Sequence, residues 1–325
     1  MNVGFEVSVK APLLPSVKVS TKLKNIIAGD NTAPAAESTD ANSVQRFLQR
    51  GVQLGSSSAI NTANNSYVLW QWMADSITPT DHAIGSIDGT HPQLSSKTIV
   101  PEHGAFSIMT YEGNEDGGGA KTVAHGMGGT PEFIIAIARA ESGENKPVYH
   151  KFMTADTDHL KINENTVQGT AGTTIWDESA MSSTLIGLGA AAQSNSTNGM
   201  IAYCFRSVPG VCKVGKYTGN GVNDGPYINL GFKPRWVMIR SLAGSRNWNI
   251  LDTTRNPINI ASPSVLLPNS TAVDTAGQIG AFDILADGFK PRDTAVNSNA
   301  SNEKYLYIAM ADLGGNGTLP PIYGR

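Results

Sequence analysis

Tyr217-Thr218-Gly219-Asn220-Gly221 opens a stretch that runs through Ile228-Asn229-Leu230-Gly231-Phe232-Lys233-Pro234-Arg235-Trp236-Val237-Met238-Ile239-Arg240. It closes with Asp287-Gly288-Phe289 and Lys304-Tyr305-Leu306-Tyr307-Ile308-Ala309-Met310. The closing run is rich in aromatic and β-branched residues, which is strand composition. The Gly-Phe-x-Pro turn leads into Trp236-Val237-Met238-Ile239, an apolar run of strand length. The stretch reads as one complete β module over residues 215–312.

Two other parts of the chain repeat it. Residues 105–207 form a second module. Tyr111-Glu112-Gly113 matches Tyr217-Thr218-Gly219, and Pro131-Glu132-Phe133-Ile134-Ile135 matches Pro234-Arg235-Trp236-Val237-Met238. Val148-Tyr149-His150 stands where Trp248 to Asp252 stand later, and Leu160 to Asn163 match Leu266 to Asn269. Pro131 to Tyr203 is 72 positions and Pro234 to Tyr307 is 73. Residues 44–76 repeat only the closing half: Gly51 to Tyr67 spans 16 positions, and Gly288 to Tyr305 spans 17. A half module cannot close its own core and must pack on a neighbour.

The remaining segments are an N-terminal arm (1–27), a linker (28–43), an irregular connector (77–104) and a Gly/Pro-rich tail (313–325). The arm holds two alternating runs, Phe5 to Lys10 and Val17 to Leu23. These fit strands that add to a neighbouring sheet. Turn signals recur roughly every 8 to 12 residues, as in a sandwich, and no long 3.6-period segment appears. The expected fold is all-β, tandem β-sandwich repeats with little helix.

Composition narrows the function classes. The 325-residue chain is 40% hydrophobic and 16% charged, with net charge −3 and no basic block, so no nucleic-acid footprint is visible. The longest apolar run, Phe133 to Ala138, is far below the roughly 20 residues that cross a bilayer. The N-terminus lacks the basic and apolar regions of a secretory signal. Cys204 and Cys212 read as free thiols made in a reducing cytosol.

Chemistry-bearing residues are sparse. All six histidines lie between His82 and His159 without helical metal-ligand spacing. Asp156-Thr157-Asp158 lacks the Gly and distal Glu of a calcium loop. Gly126-Met127-Gly128-Gly129 lacks the Lys-Ser/Thr of a phosphate loop and reads as a hairpin turn. No G-x-S-x-G elbow is present. No catalytic residue, metal site or cofactor is expected, and the chain reads as a non-enzyme. One pattern suits a sugar. Trp176 beside Asp177, and Trp248 near Asp252 and Arg255, offer a ring to stack and charged groups to hydrogen-bond. The alternative is a Trp filling the sandwich core or its rim.

The module pattern resembles a repeat found in structural proteins of tailed bacteriophages, notably marine and cyanobacterial ones, and often associated with tail fibres and other virion appendages. Its elements here are Tyr217-x-Gly219-Asn220-Gly221, Gly231-Phe232-x-Pro234-x-Trp236-Val237, Trp248-x-Ile250-x-Asp252, Asp287-Gly288-Phe289 and Tyr305-x-Tyr307-x-Ala309. The likeness covers about 70% of the chain. The second module departs from it at Phe133 and at Val148 to His150. The resemblance implies a concanavalin-like or jelly-roll sandwich and a virion location. The implied role is a homo-oligomeric tail-fibre or appendage component that contacts other virion proteins and takes part in host attachment. The alternatives are a capsid decoration or head-fibre protein, and a lectin-like module for host surface glycans. It carries no functional residues across.

Overall fold

The computed structural model describes residues 5–9, 25–26, 38–39, 41–48, 51–65, 67–68, 70–74, 78–115, 121–141, 143–155, 158–170, 174–270 and 279–311. The second run of the arm and the C-terminal tail lie outside them.

Three short strands precede the first copy: β1 (Phe5–Val9), β2 (Asn25–Ile26) and β3 (Ser38–Thr39). The first copy is the hairpin β4 (Val44–Leu48) and β5 (Gly51–Leu54), one helical turn α1 (Ser58–Asn61), and β6 (Trp70–Ala74). β1 does add to a sheet, pairing parallel with β6, and β2 at the end of the expected arm pairs with β3 in the expected linker. The connector is irregular over residues 83–95 but carries a strand on either side. It forms β7 (Thr80–His82) and β8 (Ser96–Ile99), which extend the next sheet. Their signal was hidden because Ser96 and Thr98, both buried, put polar residues where a strand pattern calls for apolar ones.

The second module runs β9 (Phe106–Tyr111), β10 (Lys121–Ala124), β11 (Phe133–Ala138), β12 (Pro147–His150), β13 (Asp158–Lys161), β14 (Gly169–Thr170) and β15 (Leu185–Leu188). The turn α2 (Ala192–Asn195) and β16 (Met200–Phe205) complete it. Its large sheet has the order β14-β13-β12-β11-β16-β9-β8-β7, and β10 pairs with β15. Gly126 and Gly128 take positive φ of 74° and 66°. They turn the chain from one sheet to the other, rather than closing a hairpin.

The third module repeats this with β17 (Cys212–Thr218), β18 (Ile228–Asn229), β19 (Pro234–Ser241), β20 (Asn249–Asp252), β21 (Phe282–Ile284), β22 (Gly288–Pro291) and β23 (Lys304–Ala311). Its sheets are β17-β23-β19-β20 and β18-β22-β21. The order β17-β23-β19-β20 matches β9-β16-β11-β12, so the two modules share one strand arrangement. The edge of β21 is closed by the Asn259 amide, which accepts from Ile284 N–H (2.8 Å) and donates to Ile284 C=O (3.2 Å). Such capping blocks edge-to-edge association.

Side-chain alternation shows how the modules stack. On β11, Ile134, Ala136 and Ala138 enter the core against β10 and β15, while Phe133 and Ile135 point the other way. On β19, Val237 and Ile239 enter the core against the β18-β22-β21 sheet, while Trp236 and Met238 point back. Phe133, Ile135, Val148 and Leu160 meet Trp236, Met238, Ile250 and Leu266 in one shared core. The two sandwiches therefore form four β layers, with the two large sheets face to face. Both central strands are buried on both faces, which explains their continuous apolar runs. The facing surfaces are equivalent surfaces of the two modules.

A polar bracket marks each copy. Asn195 Nδ2 donates to Gly189 C=O (2.9 Å), Asn299 Nδ2 to Asp293 C=O (2.7 Å) and Asn61 Nδ2 to Gly55 C=O (2.7 Å), each across six residues. Thr62 N–H donates to the Tyr67 hydroxyl (2.9 Å) as Ala300 N–H does to Tyr305 (2.8 Å). Tyr67 thus occupies the position of Tyr305, and residues 51–74 are a closing half. Val68 packs against the shared core, as its counterpart Leu306 does.

Candidate functional site

The residues proposed for sugar stacking serve other purposes. Trp176 and Trp248 are each 2% exposed, so neither offers a ring face to a ligand. They also belong to different layers. Trp176 lies inside the second module against Tyr149, at 6.2 Å between ring centroids. Trp248 lies in the shared core. Nor are they counterparts. Trp248 N–H donates to Asn269 Oδ1 as Lys146 N–H does to Asn163 Oδ1, so Lys146 is the equivalent of Trp248.

The charged partners are occupied too. Asp177 caps the 3-10 turn Glu178–Ala180 by accepting from Ser179 N–H at 3.1 Å. Asp252 accepts from Thr254 and Arg255 N–H and pairs with Arg255 Nε at 2.6 Å. Arg255 also donates to Ile250 C=O at 3.1 Å. This clasp folds the loop after β20 and is buried. With both rings buried in separate cores, Trp176, Asp177, Trp248, Asp252 and Arg255 do not form a stacking site for a sugar.

The junction between the modules carries the polar chemistry instead. A cleft of about 250 Å3 is lined by Asn163, Glu164, Asn165 and Thr166 from one module and by Asn247, Asn269 and Ser270 from the other. Two equivalent amide pairs set its walls: Asn163 Nδ2 donates to Asn145 Oδ1 (3.0 Å) and Asn269 Nδ2 to Asn247 Oδ1 (2.8 Å). Behind it lies Arg240, which is fully buried. Its Nη2 donates to the carbonyls of Asn165 (3.1 Å) and Thr166, and its guanidinium sits 6.0 Å from the Trp248 ring. Burial lowers its pKa to about 10, with the nearby Arg246 adding to the shift, so it stays charged at neutral pH. Nε and Nη1 have no hydrogen-bond partner among the described residues. Arg240 thus pins the second module's 165–166 backbone to the third module through a charged donor, a bond stronger than a neutral one.

Two histidines share one geometry. His150 Nδ1 accepts from Phe152 N–H (3.1 Å), and its Nε2 donates to Tyr307 C=O (3.3 Å) on β23 across the junction. His125 Nδ1 accepts from Met127 N–H (3.2 Å), and its Nε2 donates to Ser182 C=O (3.3 Å). Both rings are held neutral. Desolvation dominates and lowers each pKa to about 4, against a smaller raising effect of the carbonyl. Among the described residues no cluster of His, Cys, Asp or Glu is placed to hold a metal. Asp158 instead accepts from Ala155 N–H and Thr170 Oγ1 (2.8 Å each), closing a turn. Cys204 and Cys212 are free and buried.

Sequence reasoning missed Arg240 and His150. Arg240 ends a strongly apolar run, and a charge at that position signals either a strand exit or a buried anchor. Asn195 and Asn269, which each begin an Asn-x-Ser/Thr triplet, are buried, Asn195 in its bracket and Asn269 in the cleft wall.

A family model described as a domain of unknown function (DUF7483) matches residues 13–313. The chain belongs to the DUF7483 family. The match runs continuously through the half module, the connector and both full modules, so the DUF7483 unit is the whole stack rather than one repeat. No curated protein and no solved structure matches the chain. Among the described residues of this DUF7483 chain, no helix is long and apolar enough to cross a membrane.

Proposed function

We propose that this DUF7483 chain is a structural virion protein of a tailed bacteriophage, a tail-fibre or appendage component that works by oligomeric assembly. The observation that carries the reading is the half module: two modules are closed and fused through a shared core, while the described residues of the first copy form only its closing half. A fold that spends its buried surface on stacking sheets, and leaves one repeat open, suits a building block. The resemblance of the module to phage appendage repeats supports the same reading. A capsid decoration protein would use the same surfaces on the head.

Light scattering on the purified chain tests it. A defined multiple of 34.3 kDa is the expected mass. A monodisperse monomer that persists at high concentration would contradict self-assembly.

A further inference from the structure

In both complete modules the closing strand has two antiparallel neighbours. β16 lies between β9 and β11, and β23 lies between β17 and β19. The counterpart β6 has one neighbour among the described residues, β1, and that pairing is parallel. Likewise β22 holds both β18 and β21, while its counterpart β5 pairs among the described residues with β4 alone.

The side chains show which strand is missing. The opening strand of a complete module ends in Tyr-x-Gly-Asn. Its Asn makes a reciprocal pair with the bracket Asn: Asn220 N–H donates to Asn299 Oδ1 (2.9 Å), and Asn299 Nδ2 donates to Asn220 Oδ1 (3.0 Å). Asn114 and Asn195 do the same at 3.0 and 2.9 Å. Its Tyr hydroxyl donates to the carbonyl before the bracket Asn, from Tyr217 to Ser298 (2.7 Å) and from Tyr111 to Ser194 (2.5 Å). In the first copy the bracket is built and the Tyr67 lock is closed. Yet Asn61 is exposed, and among the described residues no donor reaches its Oδ1.

We propose that β6 and the Asn61 bracket form an acceptor edge, completed in trans by an opening strand of the Tyr-x-Gly-Asn type on a second polypeptide. The strand runs antiparallel to β6. Main-chain pairing supplies affinity and side-chain contacts supply specificity. Its Asn pairs with Asn61, and its Tyr hydroxyl donates to Ile60 C=O. The two Tyr-x-Gly-Asn strands of this sequence, at Tyr111–Asn114 and Tyr217–Asn220, are paired inside their own modules, which favours a second polypeptide as the donor. The inference stands on the repeat geometry, whatever particle the chain belongs to.

The test uses the full chain and a synthetic peptide of residues 212–222 carrying Cys212→Ser, followed by amide hydrogen exchange. The expected result is about tenfold slower exchange at residues 70–74 with saturating peptide and no change at residues 304–311. Placing Asn220→Ala in the peptide, or Asn61→Ala in the chain, is expected to weaken binding about tenfold, roughly the loss of one good hydrogen-bonded pair. Asn61→Ala also removes the bond to Gly55 C=O, so unchanged exchange at residues 51–54 and 70–74 of the peptide-free variant is the control that the first copy keeps its fold. No added protection at 70–74 overturns the proposal. So does protection that survives both alanine substitutions, because it would be edge pairing without the bracket, and so does protection that appears at 304–311 instead.

Discussion

Trp248→Ala is expected to lower the unfolding free energy by about 3–5 kcal/mol, the range for removing a large buried aromatic. The indole fills the space between the two large sheets, edge-on to Phe133 at 6.4 Å between ring centroids. Its Nε1 donates to Lys161 C=O at 2.8 Å, and its face carries the Arg240 guanidinium. Truncation opens a cavity, leaves the Lys161 carbonyl with only the long 3.5 Å bond from Glu164 N–H, and strips the buried cation of its ring. Trp248→Phe keeps much of the volume and loses the hydrogen bond, so it should cost about 1–2 kcal/mol. Urea denaturation reads both. A loss below about 1 kcal/mol for the alanine variant would mean that the sheets are not packed through this side chain.

Acid is the second strong lever. His125 and His150 have folded pKa values of about 4 against an ordinary value of 6.5. At neutral pH both rings are uncharged folded or unfolded, so stability is intact there. As pH falls through 6.5 the unfolded chain takes up protons that the folded chain refuses. Stability is therefore lost between pH 6.5 and about 4, and these two groups add no further loss below that. Each accounts for about 3 kcal/mol at roughly 1.4 kcal/mol per pH unit. Together they match a large part of the stability of an ordinary domain. Protonating His150 also forces a donor against Phe152 N–H, at the point where the second module touches β23. Thermal melts between pH 7 and 4 are expected to fall steeply, and replacing both histidines with Gln should flatten the slope whatever it does at pH 7. A melting temperature constant over that range would contradict the account.

The sequence made the strands and the copies legible because the spacing of landmarks survives duplication. The match of Tyr67 with Tyr305 rested on position alone, yet each hydroxyl accepts from the backbone N–H five residues before it, Thr62 and Ala300. The stacking was not legible. Phe133 to Ala138 and Trp236 to Ile239 are apolar at every position, so alternation could not say which face met a second module. The tryptophans misled for a related reason. A large ring next to an acid looks the same in sequence whether it lines a rim or fills a core, and here Trp176 and Trp248 fill two different cores. The bracket asparagines were hidden among turn residues, where Asn is common for its own local hydrogen bonding.

Native-state hydrogen exchange of the full chain, without any partner, tests the architecture most directly. Strands buried in one cooperative unit share one opening free energy, and open edges exchange faster. The account predicts a common, high protection for residues 133–138, 200–205, 236–240 and 304–310, with markedly lower protection at 67–74. Two separate opening energies for the second and third modules, or a first copy as protected as they are, would contradict it.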